Sequence, residues 1–159
     1  MLVMRPAQMA DLGEVQRLAA DSPIGVTSLP DDVERLSDKI AASEASFAAV
    51  VFFNGEESYF FVLEDTETGK LAGCSAIVAW AGYSEPFYSF RNETFVHASR
   101  ELKIHNKIHV LSQCHDLTGN SLLTSFYVVP ELVGSPWSEL NSRGRLLFVA
   151  SHPERFADS

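Results

Sequence analysis

The chain has 159 residues, of which 46% are hydrophobic and 21% are charged, and this balance is typical of one soluble globular domain. A domain of this size buries about two-thirds of its unfolded surface, so it needs neither a disulfide nor a metal ion to be stable. The 12 basic and 21 acidic residues give a formal net charge of −9, which disfavours nucleic acid and anionic membranes as partners.

The first part of the chain is predicted to form one short strand and then two helices. Residues 2–4 are a β-type run, which ends at Arg5 and Pro6. Pro30 is expected at the first position of the second helix, where the N–H group that proline lacks would be unpaired in any case. The apolar stripes that predict the helices are Leu12, Val15, Leu18 and Ala19 in the first, and Val33, Leu36 and Ile40 in the second.

The middle and the end of the chain indicate several strands and a last helix. Residues 58–64 and 71–80 flank a turn and predict a hairpin. The second of these strands is apolar on both faces, which favours a place in the middle of a sheet. A run of consecutive strands that is flanked by helices is typical of an α+β (mixed α/β) domain with a mostly antiparallel sheet. The remaining predicted elements are strands over residues 87–98, 107–112 and 121–129 and a helix over residues 137–150.

Cysteine usage and apolar runs exclude several classes of protein. Cys74 and Cys114 belong to no CxxC motif, which excludes a zinc ribbon and a disulfide scaffold. We expect both to be small buried hydrophobic residues. The amino terminus has no apolar segment of the signal-peptide kind, and the longest apolar run, residues 47–53, is too short to span a bilayer. The cytoplasm is therefore the expected compartment.

The predicted strand over residues 87–98 carries polar groups at alternating positions. Arg91, Glu93 and His97 share one face with Phe95. A cation, a carboxylate and an imidazole at this spacing could orient a polar substrate or transfer a proton. Cross-strand ion pairs on a solvated face explain the same residues equally simply.

Aromatic residues cluster beside this strand. Large aromatic side chains at such density indicate a core or a subunit interface, and the alternative is one wall of a substrate pocket. The cluster consists of Trp80, Tyr83, Phe87, Tyr88 and Phe90.

The histidines do not have the spacing of a metal site. His105 and His109 are four residues apart in a segment that reads as a strand. Four residues of a strand span about 13 Å, which is too far for two ligands that each bind a metal ion at about 2 Å. We therefore expect no metal.

The strand over residues 121–129 leads through a loop into the last helix, which is the geometry that binds phosphate groups. Most phosphate loops need glycines so that backbone N–H groups can approach the anion. This loop contains only Gly134, and Pro136 has no N–H group. A plain strand-to-helix connection is an equally good interpretation.

Six short motifs along the chain are jointly specific, although no single one is. They are MRP at residues 4–6, GVTSLP at 25–30, YFFVLED at 59–65, FYSFR at 87–91, HASREL at 97–102 and TG at 118–119. With these motifs the chain resembles the arginine N-succinyltransferase family, and within it the alpha-subunit type of the two-subunit arginine/ornithine enzymes. The resemblance implies an N-acetyltransferase-like (GNAT) fold in a single domain over residues 1–159. It also implies that this domain is the amino-terminal part of a longer family chain.

The resemblance further implies an enzyme that transfers succinyl from succinyl-CoA to the α-amino group of arginine or ornithine in arginine catabolism. It suggests Glu93 and His97 as catalytic groups at the amine. It further suggests Arg91 and Tyr88 as binders of the small-molecule amine substrate, with Arg91 at a carboxylate of that substrate or of the succinyl group. Succinyl-CoA is the only cofactor that the resemblance implies. Its pantetheine is expected against Phe126, Tyr127, Val128 and Val129, and its pyrophosphate against Ser135 and Ser138.

One departure from the family pattern supports an alternative. The stretch over residues 132–139 lacks the repeated glycines of a pyrophosphate loop, and no Lys or Arg follows until Arg143. The chain could therefore be a non-catalytic partner that scaffolds or regulates a catalytic companion, a homologous beta subunit. Because an incomplete sheet exposes an edge and apolar surface, we also expect self-association.

Overall fold

The computed structural model of the chain describes residues 1–53 and 55–157, which form two separate antiparallel sheets and three α-helices. The α+β class predicted from the sequence is confirmed. The elements are β1 (Leu2–Pro6), α1 (Leu12–Asp21), α2 (Val33–Ala48), β2 (Ser58–Asp65), β3 (Leu71–Val78), β4 (Ser89–Ser99), β5 (Ile104–Cys114), β6 (Leu122–Val128) and α3 (Pro136–Ser151).

The larger sheet has the strand order β1-β2-β3-β6, and all its neighbours are antiparallel. β3 pairs with β2 on one side and with β6 on the other, which confirms its predicted place in the middle of a sheet. Among the described residues, β1 and β6 are the edge strands of this sheet.

Helices cover both faces of the larger sheet, because successive side chains of a strand point to opposite faces. Phe60 and Val62 of β2 belong to a core cluster with residues of α1 and α2, such as Leu18 and Ile40. Tyr59 and Phe61 point the other way, into a second cluster against which α3 packs Phe148 and Val149. The sheet is thus the central layer of the domain.

Helix α2 begins later than the sequence predicts. Asp32 is its N-cap, and the Asp32 side chain accepts a hydrogen bond from the Arg35 N–H at 3.2 Å. A carboxylate that binds a free N–H of the first turn fixes the start of a helix, so the prediction that Pro30 begins this helix was wrong. Val33 is exposed as a result, and only Leu36 and Ile40 of the predicted stripe are buried.

Helix α3 buries polar rather than apolar residues. Its apolar positions Leu140 and Leu147 are exposed in the described structure, whereas Asn141 and Arg145 are buried. Gly144 lies against β1, where a Cβ atom would collide with the Met4 sulfur. The helix therefore approaches the sheet closely on this side.

The second sheet is a two-stranded ribbon, residues 89–114, formed by β4 and β5. Its register pairs Glu93 with Val110 and His97 with Asn106, which places the predicted polar residues of β4 on one face. No residue of either strand is fully buried in the described structure. Tyr83, Tyr88 and Phe90 beside or on the ribbon are exposed, so they are not part of this domain's core.

The two cysteines differ in environment. Cys74 in β3 is buried as predicted, while Cys114 at the end of β5 is only partly buried. In the described part of the chain, no helix combines the length and the apolar character that a membrane crossing requires.

Candidate functional site

The free edge of β6 is the candidate site. β6 pairs only with β3 in the described part of the chain, so its other edge offers unpaired backbone groups. A cleft of about 400 Å³ lies along this edge. It is lined by Asp21, Pro23, Phe126, Tyr127, Val128, Pro130 and Val133.

A β-bulge interrupts β6 beside the cleft. The register changes between the pairs Cys74–Tyr127 and Ala76–Thr124, so that Ser125 and Phe126 together face the single residue Ser75. Ser125 has a φ of 51°, in the left-handed region. Such a bulge bends the strand and redirects its backbone groups. The carbonyl and N–H groups that it releases from the ladder need other partners.

Ser28 and Lys39 hold the bulge from the face that α1 and α2 cover. The Ser125 N–H donates to Ser28 Oγ at 2.8 Å, and Ser125 Oγ donates to the Ser28 carbonyl at 2.7 Å. Lys39 Nζ donates to Ser125 Oγ at 2.8 Å and to the Ser28 carbonyl at 3.1 Å. Burial lowers the pKa of the Lys39 ammonium from its ordinary value. The loop between α1 and α2 is thereby fixed to the bulge.

Cys74 lies under the bulge as a protonated thiol. Its Sγ donates to the Ser125 carbonyl at 3.4 Å. Burial raises the pKa of this thiol to about 12, and only the thiolate is a strong nucleophile. Cys74 is therefore a structural residue rather than a nucleophile.

Asn141 of α3 supports the bulge from the opposite face. Its Nδ2 donates to the Cys74 carbonyl at 2.9 Å and to the Tyr127 carbonyl at 3.2 Å. Its Oδ1 accepts a hydrogen bond from Ser75 Oγ at 2.8 Å. One amide side chain thus satisfies two carbonyls and one hydroxyl, all of them buried.

Arg145 lies one turn further along α3 and is less well satisfied. Its Nη1 donates to the Thr124 carbonyl at 3.4 Å and to the Ala76 carbonyl at 3.5 Å, at the limit of a hydrogen bond. Its guanidinium carbon lies 5.3 Å from the centre of the Phe126 ring. Burial lowers the pKa of Arg145 from its ordinary value.

The loop between β6 and α3 leaves some backbone N–H groups open. Ser135 Oγ caps α3 by accepting from the Ser138 N–H at 3.4 Å, and it donates to the Leu132 carbonyl at 2.6 Å. The N–H groups of Glu131, Gly134 and Trp137 have no hydrogen-bond partner within residues 1–53 and 55–157. Open N–H groups at the start of a helix attract anions.

The structure brings the predicted acyl-CoA contacts together. Phe126, Tyr127 and Val128 line the cleft, and Val129 lines a cleft that shares Tyr127 and Pro130 with it. Ser135 and Ser138 follow at the start of α3. Of these two serines, Ser138 has its N–H bound to Ser135. The predicted residues therefore form a continuous line from the strand edge to the helix start.

The other predicted residues lie elsewhere. Glu93, His97 and Arg91 are on the ribbon, and Tyr88 precedes it. Arg91 forms a two-pronged ion pair with Asp116, which lowers the pKa of that carboxyl. In the described part of the chain, none of these four side chains has a hydrogen bond to β6. The structure thus gathers the predicted acyl-CoA residues but not the predicted catalytic and substrate residues.

Sequence reasoning missed the four residues that support the bulge, Ser28, Lys39, Asn141 and Arg145. Asn141 and Arg145 are four apart on α3 and therefore share a face. That spacing was a usable signal, but polar helix positions are normally interpreted as the solvent side. Ser28 and Lys39 gave no signal, because their contact with Ser125 spans up to 97 residues of sequence.

Comparison with known proteins identifies close relatives. The model of the family described as arginine N-succinyltransferase beta subunit matches residues 2–159. Arginine N-succinyltransferase subunit alpha of Pseudomonas aeruginosa is 82% identical over 100% of this chain, which covers 47% of that relative. Arginine N-succinyltransferase of Escherichia coli O6:K15:H31 is 36% identical over 99% of this chain and 46% of the relative. The chain therefore spans about half the length of the curated relatives it matches.

Solved structures agree with the predicted fold. The structure of arginine/ornithine succinyltransferase subunit AI from Pseudomonas aeruginosa matches 99% of this chain and 48% of that chain, with 82% identity and a TM-score of 0.91. An acetyltransferase from Trypanosoma brucei matches 95% of this chain and 76% of its own, with 11% identity and a TM-score of 0.51. The second likeness shows the fold alone, and it confirms the predicted N-acetyltransferase-like fold.

Proposed function

This chain belongs to the arginine N-succinyltransferase family, and we propose that it forms the acyl-donor side of an acyl-CoA-dependent N-acyltransferase. The proposed reaction transfers succinyl from succinyl-CoA to the α-amino group of arginine or ornithine, in the cytoplasm, as a step of arginine catabolism. The free amine attacks the thioester carbonyl, the new amide bond forms and the carbon–sulfur bond breaks, so that CoA leaves as the thiol. A base accepts the proton that the amine loses, and N–H groups stabilise the oxyanion.

The observation that carries this proposal is the bulged free edge of β6, which leads through one loop to the start of α3. The amide groups of pantetheine can pair with an unpaired strand edge as an added strand does. The diphosphate can then bind the open N–H groups of Gly134 and Trp137 at the positive end of α3, with that of Glu131 in the preceding loop. The edge and the helix start thus fit the two halves of CoA in the right order.

The groups that we propose to act on the amine are those predicted from the sequence. Arg91, Glu93 and His97 share a face of the ribbon, which supports a joint role. We assign Glu93 and His97 to the amine, and Arg91 and Tyr88 to the carboxylate of the amino acid. These roles require the exposed ribbon to meet a β6 edge in the assembled protein.

The alternative is a non-catalytic subunit that scaffolds or regulates a homologous companion chain. Two observations favour it: Ser135 occupies the Ser138 N–H at the helix start, and apolar side chains such as Phe90 and Phe95 on the ribbon are exposed. In that case the acyl-CoA would bind the companion.

Calorimetric titration of succinyl-CoA into the isolated full-length chain separates the two functions. We expect micromolar binding by the wild type, and about tenfold weaker binding by the variant Gly134→Val. Gly134 has a φ of 75°, so a β-branched residue there distorts the loop that presents the N–H groups.

The matched control is Gly69→Val, in the turn between β2 and β3. Gly69 has a φ of 68° and equally open space around it, so the backbone strain is similar while the cleft is untouched. If the isolated chain binds no succinyl-CoA and activity returns only with the companion, the scaffold function is the correct one.

A further inference from the structure

Arg145 is a buried cation without a counter-ion. It is only 5% exposed, and no carboxylate forms an ion pair with it in the described part of the chain. Buried charges in proteins are normally paired, because an isolated charge loses its hydration without compensation. The site around Arg145 is therefore short of one negative charge.

Two polar atoms in this site also lack partners. The side-chain atoms Arg145 Nε and Thr124 Oγ1 are buried, and neither has a hydrogen-bond partner within residues 1–53 and 55–157. Arg145 Nη1 contacts the carbonyl of the same threonine. A guanidinium N–H and a hydroxyl without partners are both donors of the kind that bind a carboxylate.

The position of this pair relates it to the cleft. Thr124 immediately precedes the bulge residue Ser125. The Arg145 guanidinium stacks on Phe126, which is 38% exposed and lines the cleft. The unsatisfied donors thus lie directly behind the wall of the proposed acyl-donor site.

Support of the bulge does not by itself explain a cation here. Asn141 binds two bulge carbonyls at 2.9 and 3.2 Å with a neutral amide. Arg145 makes its two carbonyl contacts through one nitrogen at 3.4 and 3.5 Å. Backbone support thus leaves the charge of Arg145 and its Nε unused.

We propose that Arg145 and Thr124 bind the free carboxylate at the far end of the acyl group and so select succinyl-CoA over acyl donors that lack this carboxylate. This proposal rests on the proposed function, since it assumes that the thioester lies at the bulge. The succinyl carboxylate is two methylene groups from the thioester carbonyl, so a donor held at the bulge brings it to the neighbouring residue. A guanidinium fork and a hydroxyl match the planar carboxylate in shape and charge.

The test compares succinyl-CoA with butyryl-CoA, which has the same four-carbon chain without the carboxylate, in the full-length protein with its companion subunit. We expect Arg145→Met to lower kcat/KM for succinyl-CoA by about a hundredfold and to leave that for butyryl-CoA within about threefold. Thr124→Val should lower the succinyl-CoA value by about tenfold, as loss of one hydrogen bond to a charged group does. Arg145→Lys keeps the positive charge, so its preference for succinyl-CoA over butyryl-CoA should lie between those of Arg145→Met and the wild type.

The matched control is Arg143→Met on the same helix. Arg143 is exposed and paired with Glu139 at 3.1 Å, so its substitution should leave kcat/KM unchanged for both succinyl-CoA and butyryl-CoA. If Arg145→Met does not fold, Arg145→Lys and Thr124→Val carry the test, because each still has to reduce the preference for succinyl-CoA.

Two results would overturn the proposal. The first is an equal fall of kcat/KM for succinyl-CoA and butyryl-CoA in Arg145→Met, which is the result for a purely structural residue. The second is an equal kcat/KM for the two donors in the wild type. An equal fall for both donors is also the result expected if a carboxylate of the full-length protein, rather than the acyl group, forms the ion pair with Arg145. The proposed function fails in a different way. In that case the isolated full-length chain would bind neither succinyl-CoA nor butyryl-CoA in the calorimeter, whereas failure of the present proposal alone leaves both donors bound and Arg145→Met without effect on the preference between them.

Discussion

The larger sheet and the β4–β5 ribbon are both antiparallel and both rich in apolar residues, yet only the sheet is covered. In β2, residues 59–63 are all buried between helices, whereas β4 buries no residue in the described structure. A two-stranded ribbon is marginally stable alone in water, and strands gain stability when a helix or a third strand covers them. Strand-forming sequence alone therefore does not make a stable sheet.

The contrast has a practical meaning for substitutions. Changes in the larger sheet should alter the free energy of unfolding of this chain. Equivalent changes on the ribbon should matter only when another surface covers it.

The largest difference is expected for phenylalanine. Phe60→Ala should lower the free energy of unfolding by about 4 kcal/mol, because the removed ring leaves a cavity in the core, and Phe60 is 0% exposed. Phe95→Ala on the ribbon, where Phe95 is 46% exposed, should cost less than about 1 kcal/mol. Urea unfolding of the chain measures both. Equal losses would show that the ribbon is as firmly packed as the sheet.

A smaller difference is expected for asparagine. Asn141→Ala leaves the carbonyls of Cys74 and Tyr127 without their donor, and it should lower the free energy of unfolding by about 3 kcal/mol, the cost of unsatisfied buried groups. Asn92→Ala on the exposed ribbon should stay within about 0.5 kcal/mol. The same urea titration tests this pair. A neutral Asn141→Ala would mean that water or a helix shift replaces the lost donor.

The smallest difference concerns the two cysteines and appears only in alkali. Burial raises the pKa of the Cys74 thiol from its ordinary value of 9.0 to about 12. The unfolded chain therefore ionises first, so the stability is intact below pH 9 and is lost as the pH rises towards 12. Between pH 8 and 10.5 this group should remove about 2 kcal/mol.

Cys74→Ala should lack this alkaline loss, whatever its own cost at pH 8. Cys114→Ala, at the partly buried end of the ribbon, should retain the loss seen in the wild type. Urea unfolding midpoints of the wild type and both variants, measured at pH 8 and at pH 10.5, give the alkaline loss of stability for each protein. If all three proteins lose stability equally, other groups account for the alkaline change.

Much of the fold could be predicted because its signals are local. The two β-type runs of β2 and β3 and the turn between them predict the hairpin, and the spacing of Val15, Leu18 and Ala19 predicts α1. The start of α2 was missed because Asp32, rather than the more conspicuous Pro30, satisfies the first turn.

The site could be predicted in part for the same reason. A strand that leads into a helix start is visible in sequence, and Phe126, Tyr127 and Val128 line the cleft at the β6 edge while Ser135 and Ser138 lie at the start of α3. The bulge was not visible, since it is defined by the register between β3 and β6. The residues that support it were missed because hydrophobic periodicity identifies apolar partners of a sheet, and here Asn141 and Arg145 take those positions.

The close approach of Gly144 to Met4 has a consequence for engineering. Gly144 lies between Asn141 and Arg145, so the spacing of α3 from β1 also sets the reach of both side chains to β6. An added methyl at position 144 would collide with the Met4 side chain, which would have to change its conformation in the space between α3 and β1. The missing side chain at position 144 thus leaves the room that Met4 of the edge strand occupies beneath α3.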